Sequence, residues 1–219
     1  MLFDMDGTLV DSEKVWDLAL GELAAEYGGT LSTAARLAMV GTSMAESMAI
    51  LHADLGQPWR DAAGGADRLE RRVAELFAAG LEWRAGARAL LRGVRAAGLP
   101  TALVTSTARR LVDVALGTLG RDSFDIVVCG DEVDRPKPHP APYLAAADAL
   151  GVPIARCVAV EDSPHGVASA RAAGAVVLAV PCEVALSDLD GVDGVHVRES
   201  LAEVDLSVLA ELARRGGGG

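Results

Sequence analysis

The chain has 219 residues, enough for one large α/β domain or for a medium core carrying a smaller insertion, and 51% of them are hydrophobic. That apolar content, arranged with regular periodicity, argues against general disorder. A formal net charge of -11 disfavours an extended nucleic-acid footprint, although a small basic pocket can still hold one phosphate, so the expected partner is small.

Leu2-Phe3 is a short apolar run that stops abruptly at Asp4-Met5-Asp6-Gly7-Thr8. Residues 12 to 80 then contain no strand pattern. Segments 13–27, 33–39, 43–55 and 66–79 have the spacing of amphipathic helices, and Gly28-Gly29-Thr30, Gly41-Thr42-Ser43 and Gly64-Gly65 are expected as turns or hinges between them. Beyond residue 80 the pattern alternates. Nearly continuous apolar runs at 101–104, 124–129, 157–160 and 175–179 fit strands covered on both faces. Helical patterns at 86–97, 108–119, 140–150 and 164–173 stand beside them, each followed by a glycine. An edge strand at 192–197 and a helix at 205–214 close the series, with 216–219 as a flexible glycine tail.

This alternation predicts a doubly wound parallel sheet with right-handed crossovers, in which ligands sit at the carboxyl ends of the strands. Residues 1–11 and 82–215 are expected to form that Rossmann-like core, and 12–81 a helical insertion after the first strand. Cys129, Cys157 and Cys182 are widely spaced and odd in number, so they are expected as buried small hydrophobes rather than disulfides or a metal site. No apolar run has membrane-spanning length and no leader pattern precedes Asp4, which makes the cytoplasm the expected location. Only three residues precede Asp4, fewer than a central strand usually has, so the natural chain is expected to begin further upstream.

Polar clusters follow the expected strands: Asp4-Met5-Asp6-Gly7-Thr8, Thr105-Ser106, Arg135-Pro136-Lys137-Pro138 and Glu161-Asp162-Ser163. Each alone has an ordinary reading as a turn, an N-cap, a loop lysine or a helix-dipole partner. Their order, each at a strand end, is what carries information. Together D-x-D-G-T, the Thr after an apolar strand, the Lys of "RPKPHP" and the segment "VEDSPHG" resemble the four motifs of the haloacid dehalogenase superfamily of phosphohydrolases. The likeness extends over nearly the whole chain, with 12–81 similar to that family's α-helical cap.

The resemblance implies a Mg²⁺-dependent phosphatase acting on a small phosphate monoester, such as a sugar phosphate or a phosphoglycolate-like compound. Side chains two apart on a strand share a side, so Asp4 and Asp6 can face one pocket, and two such charges call for a cation. Asp4 is implied as the nucleophile that forms an aspartyl-phosphate, and Asp6 as the general acid and base. Asp4, Asp6 through its carbonyl, Asp162 and, in a secondary role, Glu161 are the implied metal ligands. Thr105, Ser106 and Lys137 are implied to hold the phosphate, with Lys137 also keeping Asp4 ionised. Trp16 and Trp83 are expected mainly as core, His165 as a capping or solvent-facing residue, and Arg109 and Arg110 as surface arginines.

Two other readings stand beside this one. Relatives of the β-phosphoglucomutase kind carry basic residues around the cap loop, whereas Val40-Gly41-Thr42-Ser43-Met44 has none, which disfavours a mutase. A phospho-accepting signalling domain shares the acidic pocket but lacks a helical insertion after its first strand. A monomer is the default for a capped domain.

Overall fold

The computed structural model describes residues 1–189 and 191–216. Strand β1 (Leu2–Phe3) is followed by four helices, α1 (Glu13–Glu26), α2 (Thr33–Ala38), α3 (Met44–Asp54) and α4 (Ala62–Ala78). Then come α5 (Ala87–Ala96), β2 (Ala102–Val104), α6 (Arg109–Leu119), β3 (Ile126–Val128), α7 (Ala141–Ala149), β4 (Val158–Glu161), α8 (Pro164–Ala173), β5 (Val176–Ala179), β6 (Val195–Val197) and α9 (Leu206–Gly216).

The described strands form one parallel sheet in the order β3-β2-β1-β4-β5-β6. Because β1 pairs with β2 on one side and β4 on the other, Leu2 lies opposite both Ala102 and Ala159, and Phe3 opposite Leu103 and Val160. The strand is short, but its two side chains are fully buried on opposite faces. Phe3 enters one apolar layer with Leu103, Val160 and Leu178, and Leu2 enters the other with Val104, Ala159 and Val177. Helices α5, α6 and α9 cover the Phe3 face, and α7 and α8 cover the Leu2 face. Each such Leu or Phe contributes about 1.5–3 kcal/mol of burial, which holds a two-residue strand in place without many ladder bonds of its own. The order of connections reverses between β1 and β4, so the carboxyl end of β1 lies at the topological switch point, where an open α/β sheet leaves a crevice.

The helical segment is set by its caps. Ser32 accepts from the Ala35 N–H, Ser43 and Glu46 form a reciprocal capping box, and Asp61 accepts from the Ala63 and Gly64 N–H groups. The Asp61 cap corrects one expectation, since Gly64-Gly65 lies inside α4 rather than in a turn. Packing overrides the poor helix propensity of glycine here: a Cβ at Gly65 would stand 3.0 Å from the Tyr27 hydroxyl and 3.2 Å from the Met48 sulfur. The two chain crossings between this segment and the sheet run side by side. Asp11 N–H donates to the Glu82 carbonyl at 2.8 Å, and Arg84 N–H to the Leu9 carbonyl at 3.0 Å.

Smaller differences from the sequence reading are local. Gly216 belongs to α9 rather than to a tail, and 217–219 lie outside the described residues. Cys129 and Cys157 are buried free thiols as expected, while Cys182 is only half-buried. No described helix is long and apolar enough to cross a membrane.

Candidate active site

Strand β1 ends by delivering Asp4 into the crevice, with its N–H donated to the Val160 carbonyl at 3.0 Å. Gly7 then turns the chain at φ 75°, a left-handed conformation that favours glycine, and a Cβ there would stand 2.1 Å from an Asp162 carboxylate oxygen. The turn thus brings the Asp4 loop hard against the end of β4. From β4 come Glu161 and Asp162, and Ser163 then caps α8 by accepting from Gly166 N–H at 3.1 Å. Asp4, Glu161 and Asp162 are all buried, and each offers a carboxylate oxygen within 4.8 Å of the other two.

One buried lysine serves this cluster. Lys137 Nζ donates to Asp4 Oδ1 at 2.7 Å, to Glu161 Oε1 at 2.6 Å and to the Val104 carbonyl at 2.8 Å, so its three protons all have acceptors. Burial works against its charge, but Asp4 and Glu161 outweigh that effect and hold it above the usual lysine range. The carboxylates are less well compensated. Burial pushes Asp4 up to about 8 although Lys137 pulls it down, and burial with the charges of Asp4 and Glu161 lifts Asp162 well above the usual range. Lys137 pairs with Asp4 as expected and favours its ionised form, while one ammonium faces three buried carboxylates and burial acts in the opposite direction. Tyr143, which the sequence reading did not single out, donates its hydroxyl to Glu161 Oε1.

Asp6 has a different environment. Oδ1 accepts from Ser12 Oγ at 2.6 Å and from Trp16 Nε1 at 3.2 Å, while Oδ2 accepts from Thr107 Oγ1 at 2.7 Å and from Thr105 Oγ1 at 3.3 Å. Four donors from two parts of the chain therefore orient this carboxylate. Thr107 N–H in turn donates to Thr105 Oγ1 at 3.0 Å, which fixes the loop after β2.

A cavity of about 390 Å³ opens over these groups, and its lining includes Asp4, Asp6, Thr105, Ser106, Lys137 and Asp162. Glu161 lies beneath, completely buried and bonded to Lys137 and Tyr143. The opposite wall comes from the helical segment, with Trp16, Arg36, Met44 and Leu69 among its members. Trp16 was expected mainly as core, yet it borders the cavity and binds Asp6 while its ring meets Phe77 edge-on at 6.4 Å. Trp83 stays outside, half-buried against the core, with Arg88 over its ring at 6.0 Å. His139 has a local role, its Nδ1 accepting from Ala141 N–H and its carbonyl from Ser169 Oγ. His165 is half-buried beside Gly41, and its buried Nδ1 has no hydrogen-bond partner among the described residues. Arg109 pairs with Glu132, and Arg110 reaches from α6 to Glu70 on α4.

The donor set suits a hard divalent cation. Carboxylate oxygens converge at the cluster, one lysine leaves it electrostatically short of positive charge, and Gly7 lets the two acidic loops meet without a side chain between them.

A doubly wound parallel sheet with an acidic cluster and a lysine at its switch point places the chain among α/β proteins that carry an acidic site at the carboxyl edge of the sheet. The sequence profile described as "haloacid dehalogenase-like hydrolase" matches residues 1–174, and the chain belongs to that family. Among its relatives, Protein CbbY of Rhodobacter capsulatus is 35% identical over 198 residues, covering 86% of this chain and 87% of that protein. Hexitol phosphatase B of Escherichia coli is 33% identical over 223 residues, covering 98% of this chain and 94% of that one. Among solved structures, a variant of CbbY from Rhodobacter sphaeroides in complex with xylulose-(1,5)bisphosphate superimposes with a TM-score of 0.83 at 28% identity, covering 95% of this chain and 97% of that one.

Proposed function

We propose that this chain is a Mg²⁺-dependent phosphatase that hydrolyses a small phosphate monoester, a sugar phosphate or a compound of similar size, through an aspartyl-phosphate on Asp4. The observation that carries this reading is the buried cluster of Asp4, Asp162 and Lys137 beneath a cavity whose other catalytic-end carboxylate, Asp6, is separately oriented by four donors. Residues 12–81 act as the cap over it.

Asp4 and Asp162 would hold Mg²⁺, with the Asp6 carbonyl as a third contributor and Glu161 behind them; when bound, the ion neutralises charge on the phosphoryl oxygens and on Asp4. A carboxylate oxygen of Asp4 attacks phosphorus as the bond to the alcohol oxygen breaks. Asp6 gives its proton to that leaving oxygen. In the second step Asp6 takes a proton from water, the resulting hydroxide attacks phosphorus, and Asp4 departs with inorganic phosphate released. Thr105, Ser106 and Lys137 stabilise the equatorial oxygens, which requires Lys137 to share one of its three donated protons with the substrate. Every group named comes from one chain, so a monomer suffices, and a cytoplasmic location and a small phosphorylated partner accompany the reading.

The test is phosphate release from a panel of sugar phosphates, phosphoglycolate and nucleotides, with Mg²⁺ or with EDTA, for the wild type and Asp4→Asn. Release that needs Mg²⁺ and disappears in the variant is the expected result. Release that survives both treatments would sink the reading, and an isomerised phosphate ester in place of free phosphate would turn it into the mutase reading.

A further inference from the structure

The cavity lining has two parts of different chemistry. The acidic cluster and Lys137 can receive one phosphoryl group. The part from the helical segment is apolar at Met39, Val40, Met44 and Leu69, and its guanidinium already has carboxylate partners. Arg36 is the guanidinium in this wall, but its Nη2 donates to the Glu13 carboxylate and its Nε to Asp17. The Arg36 and Glu13 side chains are only 13% and 8% exposed, so water screens that pair weakly, whereas Asp17 is 52% exposed. Burial raises the Glu13 carboxyl while Arg36 opposes the shift; the Arg36 charge is favoured by Glu13 and Asp17 against the cost of burial. Glu70, also in the wall, is held by Arg110. Asp131 is a further acid in the lining and accepts from Arg109 N–H at 2.9 Å. Outside the catalytic cluster, the described lining therefore sets Glu13, Glu70 and Asp131 against the guanidinium of Arg36.

We propose that this wall selects phosphate monoesters whose alcohol portion is uncharged, a polyol or sugar bearing hydroxyls, and rejects esters with a second phosphate; the Glu13–Arg36–Asp17 cluster is the rejecting element. The proposal rests on the phosphatase reading above and names the substrate class of the same site. A second phosphate against this wall has to take Arg36 from two carboxylates or be desolvated beside them, and both cost free energy. A hydroxyl meets no such penalty. It finds Thr42 and Ser47 in the wall, whose hydroxyls lie 2.8 Å apart and can exchange partners. Selectivity of this kind comes from repulsion as much as from attraction. It separates this chain from the CbbY variant solved with a bisphosphate, although the two share the fold.

The experiment compares kcat/KM for glucose 6-phosphate and glucose 1,6-bisphosphate in the wild type, Glu13→Gln and Asp17→Asn, with Mg²⁺ present. The wild type should favour the monophosphate by about 50-fold or more, and either variant should narrow that ratio by about 5-fold, because Arg36 then has charge to offer. Using a ratio within each protein cancels a general loss of activity, and the two variants guard against one failing to fold. Equal or better use of the bisphosphate by the wild type overturns the proposal. An unchanged ratio in both folded variants removes the cluster as its cause. If neither ester releases phosphate and the wild type behaves like Asp4→Asn, the phosphatase reading itself fails, and the proposal fails with it.

Discussion

Asp4 and Asp162 stand at the ends of strands whose side chains are buried on both faces, whereas Glu13, Arg36 and Glu70 stand on helices connected to the sheet by two crossings near residues 9–11 and 82–84. In the sheet-borne cluster, three carboxylates share a single lysine and the electrostatic account stays open. In the helical wall, each guanidinium is already engaged, Arg36 by Glu13 and Asp17 and Arg110 by Glu70. An open cluster calls for a cation and a phosphate, while a wall whose guanidinium groups are taken has little positive charge to offer. The contrast teaches that the same residue types serve reaction in one region and exclusion in the other, according to whether their partners are already present.

The largest effect is expected from Asp4→Asn, which replaces the proposed carboxylate nucleophile with a neutral amide and should lower kcat by about 10⁴-fold or more in single-turnover and steady-state assays. The same variant should bind Mg²⁺ more weakly in calorimetric titration. Lys137→Met tests the shared lysine. Leaving Asp4 and Glu161 without their cation should cost about 3–5 kcal/mol in denaturant unfolding, with part of the loss recovered at low pH as the carboxylates take up protons.

The open account also predicts a pH dependence. Burial holds Asp4 at about 8 in the folded metal-free protein, well above the ordinary aspartate range, so the folded state binds the proton more tightly than the unfolded one. Stability in EDTA should therefore be greatest below about pH 4 as far as this group is concerned, and fall as pH rises toward about 8. Mg²⁺ should raise the thermal midpoint by an amount that grows across the same interval. A midpoint in EDTA that rises steadily from pH 5 to 8 would contradict this assignment.

Two smaller changes probe the wall. Trp16→Phe keeps an aromatic ring against Phe77 and deletes the N–H bonded to Asp6; kcat should fall about 10-fold, with the midpoint shifting by no more than about 3 °C. Arg110→Ala breaks a half-exposed pair between α6 and Glu70. It should change KM by roughly 2- to 5-fold and leave kcat nearly untouched, since exposed pairs are worth about 0.2–1 kcal/mol.

The catalytic end was legible in the sequence because its residues follow apolar strand runs, and a strand has one direction and a fixed end. Asp4, Asp6, Thr105, Ser106, Lys137 and Asp162 all border the cavity, as their positions after strands suggested. The wall was not legible in the same way. Helical spacing says which face of α1 is apolar, but not that Trp16 on that face turns its N–H to Asp6. Tyr143 gave no signal, since an aromatic among alanines suits a core, and only its hydroxyl bond to Glu161 distinguishes it. The "RLAMVGTSM" stretch contains an arginine just before the loop judged free of basic residues, and the pairing of Arg36 with two acids makes that judgement electrically apt. Gly64-Gly65 misled because glycine pairs often mark turns, whereas here Gly64 leaves room for the Asp61 cap and Gly65 for Tyr27 and Met48.

The position of β1 also bears on how the protein is made. Asp4 is 133 positions away from the lysine it pairs with, so during translation it emerges far ahead of that partner. At about 5–20 residues per second, on the order of ten seconds pass before Lys137 is synthesised, and its strand waits for both flanking strands. The four helices that follow can pack in that interval, before the Asp4 carboxylate has its buried partners. Asp4 is thus synthesised well ahead of the site it belongs to, and the buried acidic cluster is incomplete until β4 has paired with β1.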